Sequence, residues 1–190
     1  MANMGSLEEE LRQKLSSRTP RTLARSEARP AAVLIPLVRE PEGHRLLLTE
    51  RASNLRRQPG DISFPGGAID ASDPTPLDAA LRESEEEVGL LPSDVEVLGQ
   101  MDERETVTGF RITPFVGAIH GPYPFRANHE VAELIFAPLS LLRRSGAYRI
   151  EHRRRDSGAL LEVYHFLYQD YDIWGITGRL IKELLDLIGP

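Results

Sequence analysis

Apolar positions recur along the chain with two different periods. Leu7, Leu11 and Leu15 stand at helical spacing behind Ser6-Leu7-Glu8-Glu9, which reads as a capping box, and predict a short N-terminal helix. Residues 16–30 carry Arg, Ser and Thr between Pro20 and Pro30 and read as a linker. Ala31–Val38 is apolar and partly β-branched, so a strand. Pro41-Glu42-Gly43 turns the chain, and Arg45–Thr49 returns it. Gln58–Gly67 holds Pro59, Gly60, Pro65, Gly66 and Gly67, so its backbone is irregular by composition. The clearest helix is Pro76–Val88: Thr75 can cap it, Pro76 suits its first position, and Gly89 follows its last turn. Leu77, Leu81, Ser84 and Val88 share one face. Val95–Met101 and Arg111–Ile119 read as strands and Ala137–Arg144 as a short helix. Tyr148–His152 and Leu160–Leu167 read as strands around a Ser157-Gly158 turn. Gly175–Ile188 is an amphipathic helix with Ile176, Leu180, Leu184 and Leu187 inward. Strands mixed with a few helices predict an α/β layered domain.

Composition narrows the class. At 190 residues and 41% hydrophobic, the chain can bury a sizeable core as one domain. Its longest uninterrupted apolar stretch, Ala31–Ile35, stops at Pro36, far short of the roughly 20 residues of a spanning helix. The N-terminus lacks a signal-type apolar core. There is no cysteine, hence no disulfide, thiolate metal site or cysteine nucleophile, and a cytoplasmic location fits. A net charge of -6 gives no reason to expect nucleic acid or an anionic membrane as partner.

The charge is unevenly spread. Asp61–Glu105 holds 13 acids against two bases, Arg82 and Arg104, while the rest of the chain is net positive. Four of those acids, Glu83, Glu85, Glu86 and Glu87, lie within five residues of the Pro76–Val88 helix. At 100° per residue Glu83, Glu86 and Glu87 fall within one arc of about 100°, and Glu85 points elsewhere. Glu83 and Glu87 repel at i,i+4, near a helix C-terminus whose dipole also disfavours anions. Taken alone, such a run is equally a solvated acidic face. As a site, it makes sense if divalent cations supply the missing charge, and oxygen ligands select Mg²⁺, Mn²⁺ or Ca²⁺.

Upstream of this helix stand Phe64-Pro65-Gly66-Gly67, Asp70 and Asp73, followed by Arg82-Glu83-Ser84-Glu85-Glu86-Glu87-Val88-Gly89-Leu90. The arrangement resembles the Nudix box, with Gly67 at its first position. Three positions depart from the pattern. Asp73 replaces its first Glu, the step from Asp73 to Arg82 is one residue long, and Ser84 stands where an aliphatic is usual. The resemblance implies a Nudix hydrolase domain over residues 31–190, preceded by a helix and linker over 1–30. The implied fold is an α/β/α sandwich with a mixed β-sheet between helices. It implies cleavage of a nucleoside diphosphate derivative with Mg²⁺ or Mn²⁺ as cofactor. Glu83, Glu86 and Glu87 match the metal carboxylates. Such metals neutralise phosphate oxygens and acidify a bound water. Arg82 is expected to orient the glutamates by ion pairing, while Gly66 and Gly67 keep the loop close to the diphosphate.

Leu47–Gly67 resembles a further motif, that of the coenzyme A diphosphatases within this family. Leu47, Leu48, Thr49, Arg51, Ala52, Arg56, Gly60 and Phe64 to Gly67 match it without a spacing error. The implied partner is coenzyme A or a related small-molecule diphosphate. Arg51 and Arg56 are then candidates for its phosphates, since guanidinium binds phosphate in bidentate fashion; pairing with Glu50, Asp61 or the acidic helix is the alternative. Weaker resemblance reaches Asn128-His129-Glu130-Val131 and Trp174-Gly175-Ile176-Thr177. Nudix enzymes often take a further carboxylate from a late loop, as general base or extra metal ligand; the resemblance points to Glu130 as that base, with Glu133 or Glu83 as alternatives and a plain surface acid as the bland reading. The Arg153-Arg154-Arg155 run could steer an anion or simply face solvent. The five histidines, at 44, 120, 129, 152 and 165, show no metal-type spacing. Rival readings are a Nudix diphosphatase for NADH or an ADP-sugar, and a Nudix-fold binding or regulatory domain. The latter is disfavoured by the complete set of Glu83, Glu86 and Glu87.

Overall fold

A computed structural model describes residues 4–23, 26–52, 60–154, 158 and 160–189. Helix α1 (Met4–Ser16) leads into a central sheet of β1 (Arg29–Glu40), β2 (Gly43–Arg51), β3 (Ile62–Ser63), β4 (Gly66–Ala68), β5 (Glu96–Gln100), β6 (Arg104–Glu105), β7 (Phe110–His120) and β8 (Val131–Pro138). Helix α2 (Pro76–Val88) lies between β4 and β5, and α3 (Leu139–Leu142) follows β8. A second sheet of β9 (Tyr148–Arg154), β10 (Leu160–Tyr168) and β11 (Tyr171–Ile173) precedes α4 (Gly175–Ile188). The central sheet is mixed. β1 runs parallel to β7 and antiparallel to β2 and β4. Successive residues of β1 feed opposite cores: Leu34 and Val38 pack under α2 with Ala79, Ala80 and Val88, while Ile35 and Leu37 face α1, α4 and the second sheet. This is the layered arrangement expected, with helices on both faces of the sheet.

α2 has the predicted bounds. Thr75 accepts the Asp78 N–H, Pro76 opens the helix, and Gly89 closes it at φ 68°, in the left-handed region. The N-terminal helix runs from Met4, so Ser6 lies inside its first turn and the capping box is not its start. Leu11 and Leu15 of α1 are buried in the main core. Several elements depart from expectation: the short strands β3, β4 and β6 were not predicted. The predicted helix Ala137–Arg144 is shorter, because residues 131–138 form β8, paired antiparallel with β2, and only Leu139–Leu142 is helical. β11 was not anticipated. The Ser157 half of the expected turn and Arg155 lie outside the described residues.

The site forms where the neighbours of β1 change. β4 borders its first half at Ala31–Val33, and β2 borders its second half from Leu37. Between them passes Phe64-Pro65, whose Pro65 carbonyl accepts the Leu34 N–H at 2.9 Å. The loop of predicted irregularity is thus tied into the sheet beside α2.

Candidate active site

The glycines of the loop and the glutamates of α2 interlock. Gly66 adopts φ +152°, and a Cβ there would meet the backbone of β1, 2.3 Å from the Ala32 carbonyl oxygen. At Gly67 the obstacle is the site itself: a Cβ would lie 2.6 Å from the Glu83 carboxyl carbon. The Gly66 N–H donates to Glu87 Oε2 at 3.1 Å. Glu87 is 8% exposed, and burial pushes its carboxyl up to about 7, against the pull of that N–H. Burial also raises Glu83, against its bonds to Arg82. Glu85 is exposed and turned away, as the helical arc requires.

Arg82 organises the acidic helix. Its Nε and Nη2 bind the two oxygens of Asp73 at 2.9 and 3.0 Å. Its Nη1 donates to Glu83 at 3.0 Å and to Glu86 at 3.3 Å. Arg82 therefore bridges Asp73 to the two glutamates. The sequence departure at Asp73 acquires a role that spacing did not reveal. Its side chain, 5% exposed, clamps the guanidinium in bidentate fashion, and this bond holds the Asp73 carboxyl below the usual range. The departure at Ser84 is likewise absorbed: the residue is fully buried, and its hydroxyl donates to the Ala80 carbonyl one turn back.

A third wall comes from the ends of β2 and β8. A register shift between Glu50 and Arg51 brings Arg51 opposite Val131. Ala52 N–H donates to the Glu130 carbonyl, and Glu130 N–H to Asn128 Oδ1, so the Glu130 backbone is held from both sides. Asn128 N–H in turn binds the Glu87 carbonyl at the end of α2. Arg51 Nη2 stands 3.7 Å from Glu130 Oε2. Both charges act on Glu87, Arg51 lowering its pKa and Glu130 raising it. The structure thus gathers Arg51, Gly66, Gly67, Arg82, Glu83, Glu86, Glu87 and Glu130 in one place. Glu133 goes elsewhere: it sits across from Glu50 and raises the pKa of the Tyr171 phenol. Arg56 and Arg57 lie outside the described residues. Arg153 is paired with Glu151 and lies over the Trp174 ring, and Arg154 is exposed.

A family model described as the NUDIX domain matches residues 28–155. The chain belongs to the Nudix hydrolase family. Nudix hydrolase NudL of Escherichia coli is 43% identical over 164 residues, covering 85% of this chain and 83% of that protein. The solved Nudix hydrolase RenU of Mycobacterium smegmatis is 28% identical with a TM-score of 0.52, over 60% of this chain and 73% of that one. A MutT/nudix family protein from Enterococcus faecalis, 16% identical, shares the fold at a TM-score of 0.53 over 95% of this chain and 72% of that one. As a Nudix hydrolase this is an enzyme of a family that uses divalent metal ions. No helix among the described residues is long and apolar enough to cross a membrane.

The residues fit such a cation in their chemistry. Glu83, Glu86 and Glu87 offer hard carboxylate oxygens from one helix, and buried Glu87 has the Gly66 N–H as its donor. Among the described residues no three carboxylates or imidazoles are drawn into a closed metal cage. Arg82 holds Glu83 and Glu86, while Gly66 holds Glu87. Glu87 gives this arrangement a pH signature. A carboxyl whose folded pKa, about 7, lies above its ordinary 4.5 costs nothing at low pH, where both states are protonated. As the pH rises through that window the unfolded chain loses its proton first, and the native state is penalised by up to about 3 kcal/mol. The metal-free protein should therefore melt at progressively lower temperature between pH 5 and pH 8. Mg²⁺ should restore stability at pH 8 and not at pH 5, because it competes with the proton. Differential scanning calorimetry across this range, with chelator and with Mg²⁺, tests this; a flat profile in chelator would refute it.

Proposed function

We propose that this Nudix hydrolase cleaves the diphosphate of coenzyme A, giving 3′,5′-ADP and 4′-phosphopantetheine, with Mg²⁺ or Mn²⁺ held by Glu83, Glu86 and Glu87. The observation that carries the reading is the match of Leu47–Gly67 to the coenzyme A diphosphatase motif, together with the position of its Arg51 beside Glu130 and Glu87. A divalent cation, when bound, would neutralise phosphate oxygens and lower the pKa of the attacking water. The chain's own residues supply the rest. Glu130 takes the proton from that water as it attacks phosphorus and the bridging P–O bond breaks. Arg82 keeps Glu83 and Glu86 oriented, with Asp73 fixing its fork. The Gly66 N–H orients Glu87, and the missing side chain of Gly67 leaves room for the Glu83 carboxylate. Arg51 and Arg56 receive phosphate. A cytoplasmic enzyme acting on a small molecule is consistent with the absence of cysteine.

The deciding experiment is hydrolysis of coenzyme A with Mg²⁺, products identified by mass spectrometry, beside 3′-dephospho-coenzyme A, NADH and an ADP-sugar. Preferential turnover of coenzyme A supports the proposal; preference for NADH or the ADP-sugar would replace it. Arg51→Ala should weaken kcat/KM for coenzyme A by about 10- to 150-fold more than for the 3′-dephospho form, the worth of one hydrogen bond to a charged group. Equal losses on the two substrates would assign Arg51 to the diphosphate or to Glu130 alone.

A further inference from the structure

We infer that Thr177, in the first turn of α4, is a positioning residue for the glycine loop that meets the box glutamates. The second sheet and α4 then act on the site through β3, although α4 lies outside the span matched by the family model. β3 is a two-residue strand at the end of the central sheet, paired with β2 through Thr49–Ser63 and Glu50–Ile62. The Ile62 carbonyl accepts the hydroxyl of Thr177 at 2.9 Å, and Thr177 is only 4% exposed. A half-buried strand-edge carbonyl gains from a donor, and here a helix side chain stands where a further strand would pair. Thr177 is itself held from behind. Gly178 packs so closely on β10 that a Cβ would lie 2.3 Å from the Tyr164 carbonyl oxygen and 3.0 Å from that of Ile173. From Ile62 the chain is tied almost residue by residue. The Thr49 hydroxyl donates to the Ser63 carbonyl, Phe64 is buried in the core, the Pro65 carbonyl takes the Leu34 N–H, and the Gly66 N–H reaches Glu87. A shift of Ile62 therefore passes directly to the donor that orients Glu87 and to the gap at Gly67 that admits Glu83.

The test compares Thr177→Val, which keeps the shape and removes the hydroxyl, with Thr177→Ser, which keeps the hydroxyl. Two readouts are independent of any substrate: amide hydrogen exchange, and Mn²⁺ binding by calorimetry. The second rests on the metal reading above and the first does not. In Thr177→Val the amides of Ser63, Phe64, Gly66 and Gly67 should exchange about 5- to 10-fold faster, the worth of one neutral hydrogen bond, while those of β7 and β10 keep their rates. Mn²⁺ affinity should fall by a similar factor, and Thr177→Ser should restore both. A lower melting temperature with unchanged exchange at 63–67 would overturn the inference, as would faster exchange with unchanged Mn²⁺ affinity. A wild-type protein that binds no Mn²⁺ would count against the metal reading instead, leaving exchange as the test of Thr177. Should Thr177→Val fail to fold, native-state exchange of the wild type in low denaturant decides. The loop amides must open together with the first turn of α4, and separate openings would overturn the coupling.

Discussion

Glu87→Gln should lower turnover by more than about 100-fold, which is the upper end of what losing merely the outer partners of a metal ligand costs. Glu86→Gln should do the same, although Glu86 is exposed and bonded to Arg82. The two variants should differ in stability. Glutamine at 87 can still accept the Gly66 N–H, yet removes a charge that burial penalises, so the metal-free Glu87→Gln protein should melt higher than wild type at pH 8. At position 86, more than half exposed, no such gain is expected. Measuring rates across a Mg²⁺ titration, with melting curves in chelator alongside, separates the two effects. Either variant turning over at the wild-type rate in limiting Mg²⁺ would remove that glutamate from the metal site.

The second large effect concerns proton transfer. Glu130→Gln should lower kcat by about 10²- to 10⁴-fold with little change in KM, the range for a general base. The carboxylate is two-fifths exposed, on a backbone fixed by Ala52 and Asn128, with Arg51 Nη2 3.7 Å away. Raising the pH should partly restore the variant, since hydroxide needs no base to form it. Because Arg51 also loses a partner, the double variant with Arg51→Ala tells the two roles apart. A lost base leaves kcat equally low in both, whereas a misplaced arginine shows in KM. A Glu130→Gln enzyme within about threefold of wild type across neutral pH would pass the role to Glu133 or Glu83.

What could be read from sequence was local. α2 carries its own punctuation in Thr75, Pro76 and Gly89, so its bounds and the arc of Glu83, Glu86 and Glu87 followed without a fold. The paired strands β1 and β2 announced themselves through one turn. β8 did not, because its partner β2 lies some eighty residues upstream, and its apolar run continues through Pro138 into the leucines of α3. A continuous run of that kind has no period to distinguish strand from helix. The same limit applies inside the site. Nothing around Asp73 says that it will grip Arg82, nine residues on, with both oxygens, and nothing around Thr177 points to Ile62. The Asn128–Val131 segment could be suspected only by resemblance. Its place beside Glu87 is a product of the β2–β8 pairing.

The burial of Leu11 and Leu15 of α1 in one core with Leu180, Ile181 and Leu184 of α4 separates two notions of a module. The span that matches the family model, residues 28–155, does not close its own interior: it shares one core with both flanks. Both flanks lend side chains to the interior, and Leu15 fills the space beside Gly99, where a Cβ would stand 2.6 Å from its own. A relative with different flanks would need a differently shaped surface on the shared sheet. Grafting the common segment of one onto the flanks of another would join surfaces shaped for different partners.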